Sequence, residues 1–451
     1  MHCIGTITYN MNINFESKKF EADKIALLGL FALSLLIVHF IVSAKTALLF
    51  SEPIELPHTG LAISIPEGNG WKIENRWEFQ ANTFILNSIF TANTKKPTAW
   101  VSCQYILNAE IPAPQKWFEQ KAAEINGSIL ETGQEQVAAL TVDWAHIGQP
   151  KLNSIIGTIE LPYNRIINIE VYQVTSDVDA EKVFRKIIDN LNFEENQLFK
   201  AGTEIIETIK NEGINSFIDN QNRQIYFLIT DSNRQNIGFI IDILHSTESD
   251  DKFNVYAAGH FYVRDHPKQR PLQEQATSFR CENNINEFIW ENESNSPTGI
   301  NHKEIILEKS GLMTIRDSRT KFELRHRLSP VAIPDIFIEA ILGRMIDSNT
   351  EQIIVDIIDS DGKIVPTVVS IIEENTNDED TPYVTKLDIL DGQGFYQLVY
   401  LNDHMQIARV ILQQNKRYVL ETVTRADIVR KFPERADFLT QKSSILEDDE
   451  F

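Results

Sequence analysis

The hydrophobic and polar positions of this 451-residue chain follow two periods, and one stretch follows neither. Most segments alternate β-branched or aromatic residues with polar ones, which is the period of half-buried strands. A few segments space their apolar residues as one face of a helix. The exception is residues 25–43, a continuous apolar run. We therefore predict an α+β protein in which strands predominate, behind one apolar segment.

The apolar run at 25–43 predicts a transmembrane helix. It contains no Asp, Glu, Lys or Arg, and as a helix it would span about 28 Å, close to the thickness of bilayer hydrocarbon. Its large apolar residues together favour insertion by about 3 to 7 kcal/mol. A cleaved signal peptide is an alternative, because Val42-Ser43-Ala44 offers small residues for cleavage, although the run is long for one. A buried core helix is less favoured, since a soluble helix normally has a polar face.

Flanking charge predicts the orientation of this segment. Lys18, Lys19 and Lys24 precede the run, and only Lys45 follows it closely. The positive-inside rule then places a cytoplasmic head at residues 1–24 and the body outside. We expect a single-pass protein of the cell membrane with an extracytoplasmic body.

The pattern from residue 54 to residue 196 predicts an α/β sandwich with an antiparallel sheet. Strands are expected at 61–65, 83–90, 99–107, 137–147, 154–161 and 165–174. A helix is expected from Pro112 and Pro114 through Ile125. A second helix closes the domain, with Ser176 as its predicted N-cap and an apolar stripe of Val183, Phe184, Ile187, Ile188 and Leu191.

Two segments of this domain resemble a known fold group. They are GLAISIPEGNGW at 60–71, a strand, turn and Trp, and AEKVFRKIIDNLNF at 180–193, the closing helix. Together they resemble the PsbP/Mog1-like fold over about residues 54–196. The resemblance implies a binding or assembly factor, and it brings no catalytic residue to this chain.

Residues 198–435 predict a second domain, a large curved antiparallel sheet with one or two covering helices. Helices are expected at 198–209, with Gly213 as C-cap, at 334–345 with Pro334 in the first turn, and at 426–431. Asp-Gly pairs at 361–362 and 391–392 predict hairpin turns between apolar strands. We expect an acidic, disordered tail at 436–451.

Composition excludes some classes of function. The formal net charge of −22 disfavours binding to nucleic acid. The three cysteines, Cys3, Cys103 and Cys281, do not form a disulfide framework. Nucleotide-binding and nucleophile motifs are absent, so the sequence predicts no cofactor and favours a protein that is not an enzyme.

Other candidate chemistry has plainer explanations. The turn at 359–362 lacks the EF-hand ligands, so we interpret it as a hairpin turn. His260, His266, His302 and His326 lack metal-site spacing, and a structural or surface role is favoured. The tryptophans at 71, 77, 100, 117 and 144 could line a ligand cleft, but core packing is favoured.

One basic run stands out in this acidic chain. It comprises Arg316, Arg319, Lys321, Arg325, His326 and Arg327. It predicts either a partner surface, at Arg316, Arg319, Lys321, Arg325 and Arg327, or a solvated strand edge protected by charge. We therefore expect a membrane-anchored interaction or assembly module. A binding protein for a lipid or small apolar ligand is the first alternative, and an uncharacterised hydrolase is the second.

Overall fold

The computed structural model describes most of the chain after residue 47. The described residues are 48–80, 82–91, 96–107, 113–137, 139–150, 152–175, 178–217, 223–246, 252–265, 272–296, 299–372, 382–390, 394–413 and 417–439. The predicted head, the predicted membrane segment at 25–43 and most of the predicted tail lie outside them. Within these ranges no helix is both long and apolar enough to cross a membrane.

The first part of the chain contains ten strands and two helices among its described residues. In chain order these are β1 (Ile54–Leu56), β2 (Leu61–Ile63), β3 (Trp71–Gln80), β4 (Thr83–Phe90), β5 (Ala99–Leu107), α1 (Pro114–Glu124), β6 (Ser128–Val137), β7 (Leu140–Gln149), β8 (Leu152–Leu161), β9 (Arg165–Gln173), α2 (Ala180–Asp189) and β10 (Asn192–Phe193). Strands β3 to β9 form an antiparallel sheet in the order β3-β4-β5-β9-β8-β7-β6. Strands β1, β2 and β10 form a separate small sheet.

The two helices cover opposite faces of the seven-stranded sheet. Helix α2 buries Val183, Phe184 and Ile187 completely against the larger core. Helix α1 packs Phe118 against the other face in a smaller cluster. The apolar stripe of the closing helix is confirmed, but its N-cap is Asp179, whose side chain accepts the Lys182 N–H; Ser176 lies outside the described residues.

Strand prediction in this part succeeded where the alternation is regular. Strands β4 and β5 have the predicted bounds, whereas β3 and β6 were missed. The register of β3 shifts twice against β4, which interrupts its period. Strand β6, SILETGQEQV, is the last strand of the sheet and buries no side chain fully, so it carries no apolar pattern. The predicted strand at 137–147 spans the β6–β7 turn and is wrong there.

The rest of the chain is dominated by one sheet. Its described elements are α3 (Gln197–Glu212), β11 (Arg223–Thr230), β12 (Asn236–Ser246), β13 (Val255–Val263), β14 (Gln273–Cys281), β15 (Phe288–Ser296), β16 (Gly299–Leu307), β17 (Leu312–Asp317), β18 (Phe322–Arg327), β19 (Ala332–Pro334), α4 (Ile338–Asp347), β20 (Gln352–Ile358), β21 (Ile364–Ile372), β22 (Tyr383–Ile389), β23 (Tyr396–Leu401), β24 (Ile407–Gln413), β25 (Arg417–Val423) and α5 (Arg425–Lys431). Single 3-10 turns occur at Ile214–Ser216, Asp335–Phe337 and Pro433–Arg435.

These strands form a 15-stranded sheet in the described residues, antiparallel except for the β19–β20 pair. The order runs from β18 down to β11, which pairs with β25, and then from β25 down to β19. The sheet curls, and this brings the β20–β21 turn into contact with β14 and β15, which lie near the opposite end of the strand order. Ser360 accepts hydrogen bonds from Gln275 and Asn292, at 3.0 and 3.1 Å. The prediction of a large, curved antiparallel sheet is confirmed.

Helices cover both faces of this curved sheet. Helices α3 and α4 pack into the main core on the concave side, together with Phe279 and Trp290. Helix α5 and the following residues to Leu439 cover the convex side of β11 to β13. Pro334 ends β19 and precedes a 3-10 turn, so its predicted place in the first turn of the helix is wrong. The β20–β21 hairpin is confirmed, and Gly362 takes a positive φ of 78° in its turn.

A buried ion pair joins the two large sheets. Arg165 at the start of β9 donates two hydrogen bonds to the Asp356 carboxylate on β20, at 2.8 and 3.0 Å. Both residues are at most 1% exposed. The guanidinium also lies 4.5 Å from the centre of the Phe199 ring on α3. This contact fixes the first sheet against the core of the second.

Candidate functional site

The curl of the 15-stranded sheet forms a cavity of about 690 Å³ that is partly open to solvent. That volume is within the range of small-molecule sites, about 300 to 1,000 Å³. Residues of β11 to β15 form one wall, residues of β20 to β24 form the other, and the segment 335–339 ahead of and within α4 covers it. Much of the lining is apolar and includes Phe227, Ile240, Phe279, Trp290, Leu387 and Ile407.

An ion pair fixes α4 over the cavity. Arg223 at the start of β11 donates two hydrogen bonds to the Glu339 carboxylate in the first turn of α4, at 2.6 and 2.7 Å. Glu339 also accepts the backbone N–H of Ile407 at 2.7 Å. The Arg223 charge is therefore matched by a carboxylate already, and the helix is held to β11 and β24.

Two further carboxyls in the cavity lack such a cation. Asp242 is in the middle of β12, and Asp335 begins the 3-10 turn before α4. Asp242 accepts no hydrogen bond from the described residues, and Asp335 accepts only the backbone N–H of Ile336. Asp242 is exposed by its accessible surface and lines the cavity, so its carboxyl is open to that space.

This environment changes the protonation of both carboxyls. Burial, with the nearby Glu339 carboxylate, raises the pKa of Asp242 to about 7, and Arg223 opposes the rise only in part. Burial and the charges of Asp359 and Asp242 raise the pKa of Asp335 to about 8. At neutral pH, Asp335 is therefore mostly protonated and Asp242 is about half protonated, because burial and the nearby carboxylates disfavour their charged forms.

The raised pKa values of these two carboxyls predict that the protein loses stability as the pH rises. In the unfolded chain both release their protons near the ordinary value of 3.8, whereas in the folded chain they hold them to about 7 and 8. The folded state binds more protons between these values, so the free energy of unfolding should fall from about pH 4 to about pH 8. We expect urea midpoints to be higher at pH 5 than at pH 8.5.

A matched pair of variants tests this slope. Asp242→Asn replaces a carboxyl with an amide that does not titrate, so the urea midpoint should depend less on pH. Asp347→Asn, at the exposed end of α4, should keep the slope of the original protein. A stability that stays constant or rises between pH 5 and pH 8.5 would contradict the prediction.

The predicted basic surface lies away from the cavity, on β17, β18 and their connection. Strand β18 is at the end of the described sheet. Arg316 pairs with Glu304 and Glu323, at 3.1 and 3.4 Å, and Arg325 pairs with Glu323 at 2.8 Å. Arg319, Lys321 and Arg327 are exposed and form no ion pair with the described residues. The structure therefore brings the run together as a surface with three uncompensated cations.

The described histidines that were considered for a metal site lie on different strands and do not form one. His260 is on β13, His302 on β16 and His326 on β18, while His266 lies outside the described residues. The Nε2 atom of His260 is 3.3 Å from a Glu274 carboxylate oxygen, and its ring contacts Phe438 on the convex face. The described part of the chain contains no group of three or more metal-ligating side chains.

The tryptophans and cysteines considered above have packing roles. Trp71 and Trp77 are each 6% exposed in the core of the first sheet, which confirms the favoured interpretation for them. Trp100 stacks on Tyr172, with ring centres 4.8 Å apart. Cys103 and Cys281 are unpaired and buried. Burial raises the pKa of both thiols, so neither is a thiolate at neutral pH.

The sequence reasoning did not identify the residues of the cavity. One signal was present: Asp242 is the single charged residue in the apolar strand NIGFIIDILHS. A lone carboxyl on an apolar strand indicates either a partner or a cavity. A second groove, about 800 Å³ and more open to solvent, is lined mainly by polar side chains such as Glu207, Lys210 and Asn283.

Comparison with known proteins assigns no family. No family model and no curated protein sequence matches the chain. Among solved structures, a β-barrel-like protein of the domain of unknown function DUF1849 from Brucella abortus matches 45% of this chain and 95% of its own, at 12% identity and a TM-score of 0.36. A DUF1089 family protein from Pseudomonas aeruginosa matches 38% and 87%, at 10% identity and 0.24. Both scores are too low to establish a shared fold.

The predicted resemblance of residues 54–196 to the PsbP/Mog1-like fold is wrong. No family model matches, and the neighbours named above belong to DUF1849 and DUF1089. The strands of the two segments that suggested it, β2 and β10, pair with each other outside the large sheet. Strand β2 pairs with β1 and β10 in the small sheet, while the large sheet begins with β3. A strand, a turn and an amphipathic helix are too common to identify a fold.

Proposed function

We propose that this protein binds an amphipathic small molecule in the cavity of its curved sheet. The observation that carries the proposal is the cavity itself, about 690 Å³ with apolar walls and carboxyl groups. Apolar walls with a few polar groups are typical of ligand sites, where burial supplies affinity and the polar groups fix orientation. The cavity therefore favours the ligand-binding alternative over a general assembly module.

A ligand with an apolar chain suits the shape of the site. Phe279 and Trp290 pack edge to face at one end, with ring centres 5.3 Å apart. Asp242 and Asp335 supply polar contacts within the same space. Each methylene buried there contributes about 0.8 kcal/mol, so an eight-carbon chain supplies enough apolar contact for measurable binding.

Titration with octanol tests this proposal. The full-length chain in phosphatidylcholine nanodiscs should bind octanol saturably, after subtraction of the heat measured with empty nanodiscs. Ala257→Phe places a ring into the cavity and should weaken binding about tenfold or more, because Ala257 lines it. Ala276→Phe is the matched control, since Ala276 is exposed on β14. Equal affinities in the two variants, or no saturable binding, would refute the proposal.

We further propose an α+β protein whose segment 25–43 anchors an extracytoplasmic body in the cell membrane. The apolar sequence of that segment and the lysines before it support this placement. Carbonate washing of membranes tests it: the full-length chain should stay in the pellet, and a chain beginning at Lys45 should not. The predicted domain boundaries and the hydrolase alternative stay predictions.

The interaction module remains a second candidate, supported by the end strand of the sheet. Strand β18 pairs only with β17 in the described sheet, and Phe322 and Leu324 on it are 56% and 41% exposed. An acidic partner strand could add to this edge beside Arg327. Triple substitution of Arg319, Lys321 and Arg327 by Glu should reduce partner recovery from native membranes; unchanged recovery would argue against this surface.

A further inference from the structure

Resting on the proposed function, we infer that the cavity selects ligands with a cationic amine on an apolar chain, and that Asp242 and Asp335 bind the ammonium group. The site combines two carboxyls without a cationic partner, nearby cations that already have partners, and apolar walls.

The carboxyl of Asp242 faces the cavity without a donor. It is on β12 beside Gly259 of β13: a Cβ built at Gly259 would lie 3.4 Å from Asp242 Oδ1 and 2.7 Å from the Thr277 hydroxyl oxygen. No described residue donates a hydrogen bond to it. An ammonium group that enters the cavity would supply the opposite charge and the hydrogen-bond donors that this carboxyl lacks.

The protein's own cations near the cavity are already engaged. Arg223 gives two hydrogen bonds to Glu339. The Lys363 ammonium lies 5.7 Å from the centre of the Phe79 ring, in the first part of the chain. Asp359, at the same wall, accepts the backbone N–H groups of Asp361 and Lys363, each at 2.9 Å. Asp242 and Asp335 are therefore the two carboxyls left for an external cation.

The surroundings favour an organic cation over a metal ion. A metal ion would need several oxygen ligands at one point, and the described residues contain no such group. The neighbouring walls are instead apolar, including Phe227, Ile240 and Ile407. Such walls suit an alkyl chain, and the acidic body, with a net charge of −22 for the whole chain, attracts cations rather than anions.

A series of ligands that share one chain tests the inference. Octylamine, octanol and octanoate are titrated against the full-length chain in phosphatidylcholine nanodiscs at pH 8.5, with empty nanodiscs as the reference. We expect octylamine to bind about tenfold to a hundredfold more tightly than octanol, the range for a hydrogen bond to a charged group, and octanoate to bind more weakly than octanol.

Variants and pH separate the two proposals. Asp242→Asn combined with Asp335→Asn should lower the affinity for octylamine to that for octanol measured on the same variant, whereas Asp347→Asn, outside the cavity, should keep the amine preference of the original protein. If the double variant does not fold, the unmodified protein at pH 5 is the substitute, because both carboxyls are then protonated and the preference should be lost. Equal binding of octylamine and octanol at pH 8.5 overturns this inference but leaves the proposed function standing. No binding of any of the three overturns both.

Discussion

Replacing Arg165 by Ala should lower the free energy of unfolding by about 3 to 5 kcal/mol, which is typical when one partner of a buried ion pair is removed. The Asp356 carboxylate is 0% exposed, and the substitution leaves its negative charge inside the core. Arg165 also donates to the Tyr163 carbonyl and the Ser329 hydroxyl, at 2.9 and 3.3 Å. Urea unfolding of the full-length chain measures the loss.

Two comparisons show whether burial of the pair is the cause. Arg325→Ala removes an exposed arginine that pairs with Glu323 and should cost at most about 1 kcal/mol. The double variant Arg165→Met with Asp356→Leu removes both charges and should lose less stability than Arg165→Ala. A loss for Arg165→Ala no larger than that for Arg325→Ala would contradict the assignment of Arg165 to the junction between the sheets.

Phe184→Ala should cost about 3 to 5 kcal/mol, the usual penalty for removing a buried aromatic ring. Phe184 is 0% exposed on α2, and its ring occupies the space above Gly157 of β8. A Cβ built at Gly157 would lie 2.6 Å from Phe184 Cζ, so the glycine leaves room for the ring. Alanine would leave a cavity over β8, because the strand cannot rise to fill it.

The matched control for this variant is Phe322→Ala. Phe322 is a phenylalanine with 56% exposure on β18, and its loss should change stability by at most about 0.5 kcal/mol. Thermal or urea unfolding of the three proteins gives the difference. Similar losses of unfolding free energy at the two positions would mean that the packing of α2 does not stabilise the core of the first sheet.

Local pattern predicted much of the secondary structure. The stripe of Val183, Phe184 and Ile187 has the period of a helix, and this helix forms against the sheet. Alternation gave the bounds of β4 and β5. The Asp359 turn formed the expected hairpin because Asp and Gly suit its backbone, with Gly362 at positive φ. Regular periods and turn residues are local properties, and a sequence shows them directly.

Predictions from the sequence were wrong where the hydrophobic period of a strand was interrupted, or where the pattern used is common to many folds. Strand β6 needs little apolar surface at the sheet edge, so its polar residues gave no signal. Pro334 suits the first turn of a helix, yet it ends β19, because pairing with β20 fixed that segment as a strand. The resemblance to the PsbP/Mog1-like fold rested on features that many α+β domains share, and strand pairing across the sheet decided otherwise.

By itself, the sequence determined the β-rich character of the body, its hairpins and the amphipathic face of its closing helix, because these depend on neighbours a few residues apart. Only the tertiary structure decided which strands lie next to each other and what they enclose. Arg165 meets Asp356 across 191 positions of the chain, and the cavity around Asp242 exists only because β11 to β15 curl to face β20 to β24. The charge of a carboxyl was readable from the sequence, but its lack of a partner depends on long-range packing.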